Sequence, residues 1–89
     1  MRIPFIAGNW KMYKTIEEAR DFARKFKELY HDTDVKTAVF APYPQLQALT
    51  EELAGSGIGV GAQNVHFEKE GAYTGEVSVR MLQELGVDY

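Results

Sequence analysis

The most informative part of the sequence is Ala7-Gly8-Asn9-Trp10-Lys11-Met12, which comes at the end of a short apolar run. Residues 3–7 are apolar almost without interruption, as expected of a parallel strand covered on both faces, and Gly8 ends that run. Asn9 and Lys11 then place an amide and an ammonium group just past this first strand. Barrels of parallel strands and helices carry their chemistry at the carboxyl ends of the strands. We therefore expect a functional site to begin here.

A helix is predicted directly after this stretch. Thr15 and Glu18 match a capping box, in which a hydroxyl and a carboxylate accept hydrogen bonds from backbone N–H groups at a helix start. Apolar residues then recur at spacings of three and four, as on the buried face of an amphipathic helix. They are Ile16, Ala19, Phe22, Ala23, Phe26, Leu29 and Tyr30. Residues 31–36 are polar and predict a turn.

A second strand and helix follow with the same pattern. Residues 37–41 form another apolar run, which Pro42 ends. Pro44 suits the first turn of a helix, where its missing N–H group does no harm, and Gly55 ends that helix. Its apolar face consists of Leu46, Leu49 and Leu53.

The third repeat is weaker. Residues 58–62 predict a strand whose glycines cost stability but allow other groups to approach closely. A long loop runs from residue 63 to about 76, and residues 77–85 predict a helix that Gly86 closes. We expect its inward side chains to be Val79, Leu82 and Leu85. Residues 87–89 resemble the start of a further strand.

Alternating strands and helices predict an α/β fold in which parallel strands are joined by right-handed crossovers. The 89 residues are enough for one domain at most. Periodicity alone leaves two architectures open, namely part of a barrel and a small doubly wound sheet. No Gly-x-Gly-x-x-Gly or Walker-type loop follows any predicted strand, so nucleotide-binding motifs do not choose between them.

Composition narrows the classes of function. A net charge of −3 without a basic run argues against nucleic acid as a partner. There is no cysteine, and His31 and His66 are isolated, so we expect no metal site and no redox chemistry. The apolar stretch at the N-terminus is too short for a signal peptide or a membrane span, and the default expectation is a cytoplasmic protein without membrane partners.

Four motifs, in order along the chain, resemble those of the triosephosphate isomerase family. They are Ala7-Gly8-Asn9-Trp10-Lys11-Met12, Phe40-Ala41-Pro42-Tyr43, Gly61-Ala62-Gln63-Asn64-Val65 and Gly71-Ala72-Tyr73-Thr74-Gly75-Glu76. The resemblance implies a TIM (β/α)8 barrel, of which residues 1–89 are a single partial domain containing the first three β/α units. It also implies a glycolytic and gluconeogenic enzyme that interconverts dihydroxyacetone phosphate and D-glyceraldehyde 3-phosphate through an enediolate, without a cofactor.

The same resemblance assigns roles to individual residues. Lys11 is expected to be catalytic and substrate-binding, since a fixed ammonium stabilises a phosphate and a developing oxyanion. Asn9 is expected to contact the substrate through its amide. Without the motif, both residues would pass as ordinary turn residues. Further supporting or subunit-interface roles in a homodimer are implied for Gln63, Asn64, Thr74 and Glu76. For the two amides, simple satisfaction of loop backbone groups is an equally good interpretation.

The family's catalytic histidine lies in a Gly-His-Ser-Glu-Arg motif after the fourth strand, and its glutamate base follows the sixth. The 89 residues contain neither, so we expect the isolated chain to be inactive. Two alternatives remain. One is a non-catalytic engineered or proteolytic fragment that serves folding or assembly, and that pairs with the remaining barrel segment or with itself. The other is a phosphate-binding module of another barrel family, which is disfavoured because barrel phosphate sites usually follow strands seven and eight.

Overall fold

The computed structural model describes residues 3–31 and 35–89. Within these ranges, strands and helices alternate strictly, in the order that the sequence predicts. The elements are β1 (Phe5–Asn9), α1 (Ile16–Leu29), β2 (Lys36–Ala41), α2 (Tyr43–Leu53), β3 (Ile58–Ala62) and α3 (Val79–Leu85). Residues 32–34 of the predicted turn lie outside the described residues.

Local hydrogen bonds explain where α1 begins. The Thr15 hydroxyl accepts a hydrogen bond from the Glu18 backbone N–H at 3.2 Å, and the Glu18 carboxylate accepts one from the Thr15 N–H at 2.9 Å. This is the predicted capping box. The hydrogen bond from the Thr15 backbone, followed by that from its side chain, holds the pKa of Glu18 below its ordinary value.

The other two helices show one agreement and one correction. Pro44 lies in the first turn of α2, as its missing N–H predicts. Helix α3 begins at Val79, two residues later than the periodicity predicts, because the Ser78 hydroxyl accepts a hydrogen bond from the Met81 N–H at 3.3 Å and caps the helix there. At the other end Gly86 closes α3 in the left-handed conformation, with a φ of 84°.

The three strands form a parallel sheet in the order β1-β2-β3. Gly8 pairs with Val39, and Val39 pairs with Val60, so the strands are aligned at their carboxyl ends. Residues 87–89 lie beside β3: the Asp88 N–H donates to the Val60 carbonyl at 2.8 Å, and the Ala62 N–H donates to that of Tyr89 at 3.0 Å. The segment that resembles a further strand therefore takes a position next to β3.

One face of the sheet packs against the helices and forms the core. Alternate residues of β2 and β3 point to this face because side chains along a strand alternate between its two sides. The buried residues of the core are Ala19, Ala23, Val39, Ala41, Leu46, Leu49, Leu53, Ile58, Val60 and Leu82. The predicted apolar face of α2 is thus buried in full.

On the opposite face, no helix of the described residues packs against the sheet, and aromatic rings lie across it. The Tyr89 ring covers Gly59, where an added Cβ would come within 2.8 Å of it, and the Phe40 ring covers Gly61 in the same way. Tyr89 also contacts the Phe5 ring edge-to-face at 5.1 Å between centroids. The glycines of β3 therefore allow close side-chain approach, as the sequence suggests.

Two expectations about burial are wrong. Strand β1 is exposed along its whole length rather than covered on both faces, and Ile6 is 60% exposed. Strand β1 is an edge strand of the sheet, and the described helices pack mainly on one another and on β3, so its side chains have little cover. Ile16, Leu29 and Val79 are exposed as well. Each is the first or last residue of its helix, where fewer neighbouring turns are present to cover a side chain. In the described part of the chain, no helix is long and apolar enough to cross a membrane.

Candidate functional site

The carboxyl ends of the strands bring the predicted site residues to one edge of the sheet. Strand β1 ends at Asn9 and β3 ends at Ala62, on either side of β2. The Trp10 N–H donates to the Phe40 carbonyl at 2.9 Å, which continues the ladder one residue past β1. The chain segments that follow β1 and β3 consequently leave the sheet close together.

Gln63 joins the two sides of this edge. Its Nε2 lies 3.1 Å from Asn9 Oδ1, 2.8 Å from the Lys11 carbonyl oxygen and 3.4 Å from that of Phe40. Asn9 Oδ1 also accepts a hydrogen bond from the Lys11 backbone N–H at 3.0 Å. Lys11 is thus held through both its N–H and its carbonyl, and the structure brings together three of the residues that the sequence singles out.

The backbone of Lys11 has a φ of 57°, in the left-handed region that residues with a side chain seldom adopt. The turn formed by the Asn9 side chain stabilises this conformation, since asparagine commonly bonds to a backbone N–H two residues later. The Lys11 side chain is exposed, and no carboxylate of the described residues forms an ion pair with it. It is a cation without an internal counter-ion.

Asn64 takes part through its backbone. Its carbonyl accepts a hydrogen bond from the Tyr43 hydroxyl at 2.8 Å, which ties the loop after β3 to the first residue of α2. Burial raises the pKa of Tyr43, and the negative charge of Glu76 adds to the rise.

The remaining predicted residues, Thr74 and Glu76, belong to the long loop after β3. His66 closes the loop, with its N–H donating to the Val77 carbonyl at 2.8 Å and its ring 4.5 Å from that of Tyr73. Thr74 and Glu76 are exposed. Within residues 3–31 and 35–89, no hydrogen bond links Thr74 to Asn9, Lys11 or Gln63.

The arrangement offers a cation and amide groups, which suit an anionic ligand. Asn9 Oδ1 is occupied by two donors, while its Nδ2 has no hydrogen-bond partner in the described part of the chain and remains able to donate. Among the described residues, no three histidine, aspartate or glutamate side chains are grouped as a metal site requires.

Comparison with known proteins identifies the family. The family model described as triosephosphate isomerase matches residues 4–89. The chain belongs to the triosephosphate isomerase family. It is 58% identical over 90 residues to a triosephosphate isomerase of Carboxydothermus hydrogenoformans, and 53% identical over 89 residues to one of Clostridium botulinum strain Loch Maree. A triosephosphate isomerase of Gloeothece citriformis is 53% identical over 91 residues.

All three matches cover 100% of the chain, but the chain spans only 36% of the length of the first two triosephosphate isomerases and 38% of the third. The three β/α units described above are thus a part of what those relatives contain. The α/β prediction and the family resemblance are confirmed.

Two contacts near the carboxyl ends of the strands were not predicted from the sequence. One is the hydrogen bond from Tyr43 to the Asn64 carbonyl. The other joins Gln45 Nε2, on the buried face of α2, to the Lys14 carbonyl. The only signal in the sequence is weak: Gln45 is a polar residue on an otherwise apolar helix face, next to Leu46.

Proposed function

We propose that residues 1–89 supply the lysine-bearing part of a triosephosphate isomerase active site, which interconverts dihydroxyacetone phosphate and D-glyceraldehyde 3-phosphate. The observation that supports this most strongly is the double hold on Lys11, through Asn9 and Gln63, at the carboxyl end of the sheet. These hydrogen bonds fix the Lys11 backbone, and so the direction in which its side chain starts. No carboxylate of the described residues pairs with the Lys11 ammonium.

In this proposal the Lys11 ammonium binds the anionic substrate and stabilises the negative charge that develops on its reacting oxygens. A cation that is already oriented need not reorganise as that charge forms, which is why a fixed group is more effective than a mobile one. Asn9 contacts the substrate through its free Nδ2 donor. Gln63 does not contact the substrate in this proposal. It holds Asn9 and Lys11 in position relative to each other.

The proton transfers need groups that these residues do not provide. Isomerisation through an enediolate requires a base at carbon and an acid at the carbonyl oxygen. In this proposal, residues 1–89 are a single partial domain, and other segments of the barrel supply the acid–base pair and most of the phosphate contacts. The 89 residues alone are therefore expected to be inactive.

We extend the proposal to assembly and setting. The loop after β3 would reach a second copy in a homodimer, with Thr74 at its tip and Glu76 and Asn64 near its base. The exposed position of Thr74 and the attachment of the loop base through Tyr43 support this role. The setting would be glycolysis and gluconeogenesis in the cytoplasm.

The test is a chimera in which residues 1–89 replace the corresponding segment of the Carboxydothermus hydrogenoformans triosephosphate isomerase. We expect the chimera to isomerise triose phosphates and Lys11→Ala to lower its kcat/KM by at least about a hundredfold, since an oriented charge in such a site contributes on the order of 3 kcal/mol. The matched control is Lys25→Ala, an exposed lysine paired with Asp21 at 3.1 Å on α1, which should change little.

The isolated 89 residues should show no turnover above background. A chimera whose Lys11→Ala variant keeps normal kcat/KM would remove Lys11 from the mechanism. An inactive chimera that is well folded would instead favour the alternative of a structural fragment.

A further inference from the structure

Lys14 has the second unusual backbone conformation in the connection between β1 and α1. Its φ is 76°, and Lys11 and Lys14 are the two residues other than glycine with positive φ among residues 3–31 and 35–89. Side chains make this region unfavourable, so a lysine remains there only where its surroundings hold it. Two such residues, three positions apart, imply that this connection is held at both ends.

The Lys14 side chain is held by aromatic rings. Its ammonium lies 5.5 Å from the ring centroid of Trp10 and 5.5 Å from that of Phe22, within the distance of about 6 Å at which a cation is attracted to an aromatic face. The two rings pack against each other edge-to-face, with centroids 5.2 Å apart and planes at 88°. Trp10 belongs to the connection itself, whereas Phe22 belongs to α1.

The Lys14 backbone is held separately. Its carbonyl accepts a hydrogen bond from Gln45 Nε2, and Gln45 is only 6% exposed on α2. Gln45 Oε1 has no partner in the described part of the chain, so the Lys14 carbonyl is the one group that this buried amide binds there. Side chain and main chain of Lys14 are thus attached to two different helices.

The residues between the two lysines are largely exposed. Met12 is 90% exposed and Tyr13 is 70% exposed. Lys11 is held from the sheet side by Asn9 and Gln63, and the helix side of the connection depends on Lys14.

We propose that Lys14 is a positioning residue for Lys11: its ammonium, held against Trp10 and Phe22, keeps residues 10–14 in the conformation that presents the Lys11 ammonium to the ligand. This inference rests on the proposed function of Lys11. In this inference the Lys14 ammonium is attracted to the aromatic rings of Trp10 and Phe22, whereas the Lys11 ammonium is attracted to the substrate.

The test compares Lys14→Met and Lys14→Arg in the chimera described above. Methionine keeps an unbranched apolar stem but removes the charge, so kcat/KM should fall about threefold to tenfold. Arginine keeps a cation that binds aromatic faces, and it should restore kcat/KM to within about twofold of the parent. The matched control is Lys25→Met, which removes an exposed charge on α1 and should leave kcat/KM as in the parent.

A second readout does not depend on activity. Trp10 is the only tryptophan of the 89 residues, and its indole N–H resonance can be assigned in the chimera by its disappearance in Trp10→Phe. Lys14→Met should shift this resonance, and Lys14→Arg should return it toward its original position. If Lys14→Met does not fold, Phe22→Leu, which removes one of the two rings, should produce the same partial loss of kcat/KM.

The outcomes separate this inference from the function on which it rests. Normal turnover in Lys11→Ala overturns the proposed function. If Lys11→Ala is inactive while Lys14→Met matches Lys25→Met, only the positioning role is wrong. It is also wrong if arginine is as damaging as methionine, because the charge then contributes nothing beyond the shape of the side chain.

Discussion

Gln63 connects the residues of the proposed site through its side-chain amide. A single Nε2 atom lies within hydrogen-bond distance of Asn9 Oδ1 and of the carbonyl oxygens of Lys11 and Phe40. Since these acceptors belong to two different strands and the connection after β1, one side chain sets their relative positions. In the proposed function its contribution to catalysis is indirect, through the position of Lys11.

We therefore expect Gln63→Ala in the chimera to lower kcat/KM about tenfold, less than Lys11→Ala, because it loosens the ammonium without removing it. Steady-state kinetics measure this, with Gln83→Ala on the exposed side of α3 as the control. A Gln63→Ala variant as active as the control would show that Asn9 alone orients Lys11.

The sequence singled out Asn9, Lys11 and Gln63 because each lies at or just past the end of a strand in a recognisable motif, and parallel strands bring such positions together. The anchors of Lys14 and the Tyr43 hydrogen bond were not predicted. The two hydrogen bonds join residues 21 and 31 positions apart, and neither periodicity nor composition contains information on which polar side chain meets which backbone group. Trp10 and Phe22 lie only four and eight positions from Lys14, but the sequence pattern does not show that the Lys14 ammonium lies against their rings.

At the scale of elements, α1 and α2 are joined by charge as well as by apolar packing. The Glu52 carboxylate accepts hydrogen bonds from Arg24 at 3.2 Å and from Arg20 at 3.4 Å. Lys27 Nζ donates to the Glu52 backbone carbonyl at 3.0 Å. The hydrogen bond from Arg24 is the main reason why the pKa of Glu52 lies below its ordinary value.

A lowered carboxyl pKa stabilises the folded state above the unfolded value, here about 4.5, and the stabilisation is lost as the pH falls through the folded pKa. Glu52→Gln should accordingly lower the Tm of the chimera at pH 7, and its difference from the parent should shrink as the pH falls from 5 toward 3. Circular dichroism melts measure it. The lowered pKa of Glu52 would be contradicted if Glu52→Gln lowered the Tm equally at every pH. It would also be contradicted if Glu84→Gln, at an exposed position, lowered the Tm by the same amount.

Two helix boundaries were predicted correctly from local sequence signals, whereas the start of α3 at its Ser78 cap was predicted two residues too early. The capping box starts α1 at the predicted residue, and Gly86 ends α3. The predictions of burial were wrong for β1 and for Ile16, Leu29 and Val79, which are exposed. An apolar side chain is more stable when buried, but it can be buried only where another element packs over it. An edge strand or the end of a helix has fewer such neighbours.

At the scale of the whole molecule, the sheet has an open edge and an open face. Among residues 3–31 and 35–89, no strand pairs with the outer side of β1, whereas residues 87–89 partly cover the outer side of β3. Phe5 and Tyr89 are 45% and 50% exposed on the face without helices. Unpaired backbone groups and apolar surface together favour association.

We expect the purified 89-residue chain to associate, with copies of itself or with an added complementary barrel segment. Sedimentation equilibrium should give a concentration-dependent mass, and in dilute samples the β1 amides should exchange faster than those of β2, which is paired on both sides. A dilute monomer with slow exchange in all three strands would show that the helices alone stabilise this sheet.

The most direct test of the central claim is a crystal structure of the chimera with a phosphorylated analogue of the enediolate bound. We expect Lys11 Nζ to lie roughly 3 Å from an oxygen of the analogue, with Asn9 Nδ2 beside it and the Gln63 contacts retained. An analogue bound with Lys11 turned toward solvent, and with another cation in its place, would contradict the proposal that this connection supplies the substrate-binding lysine.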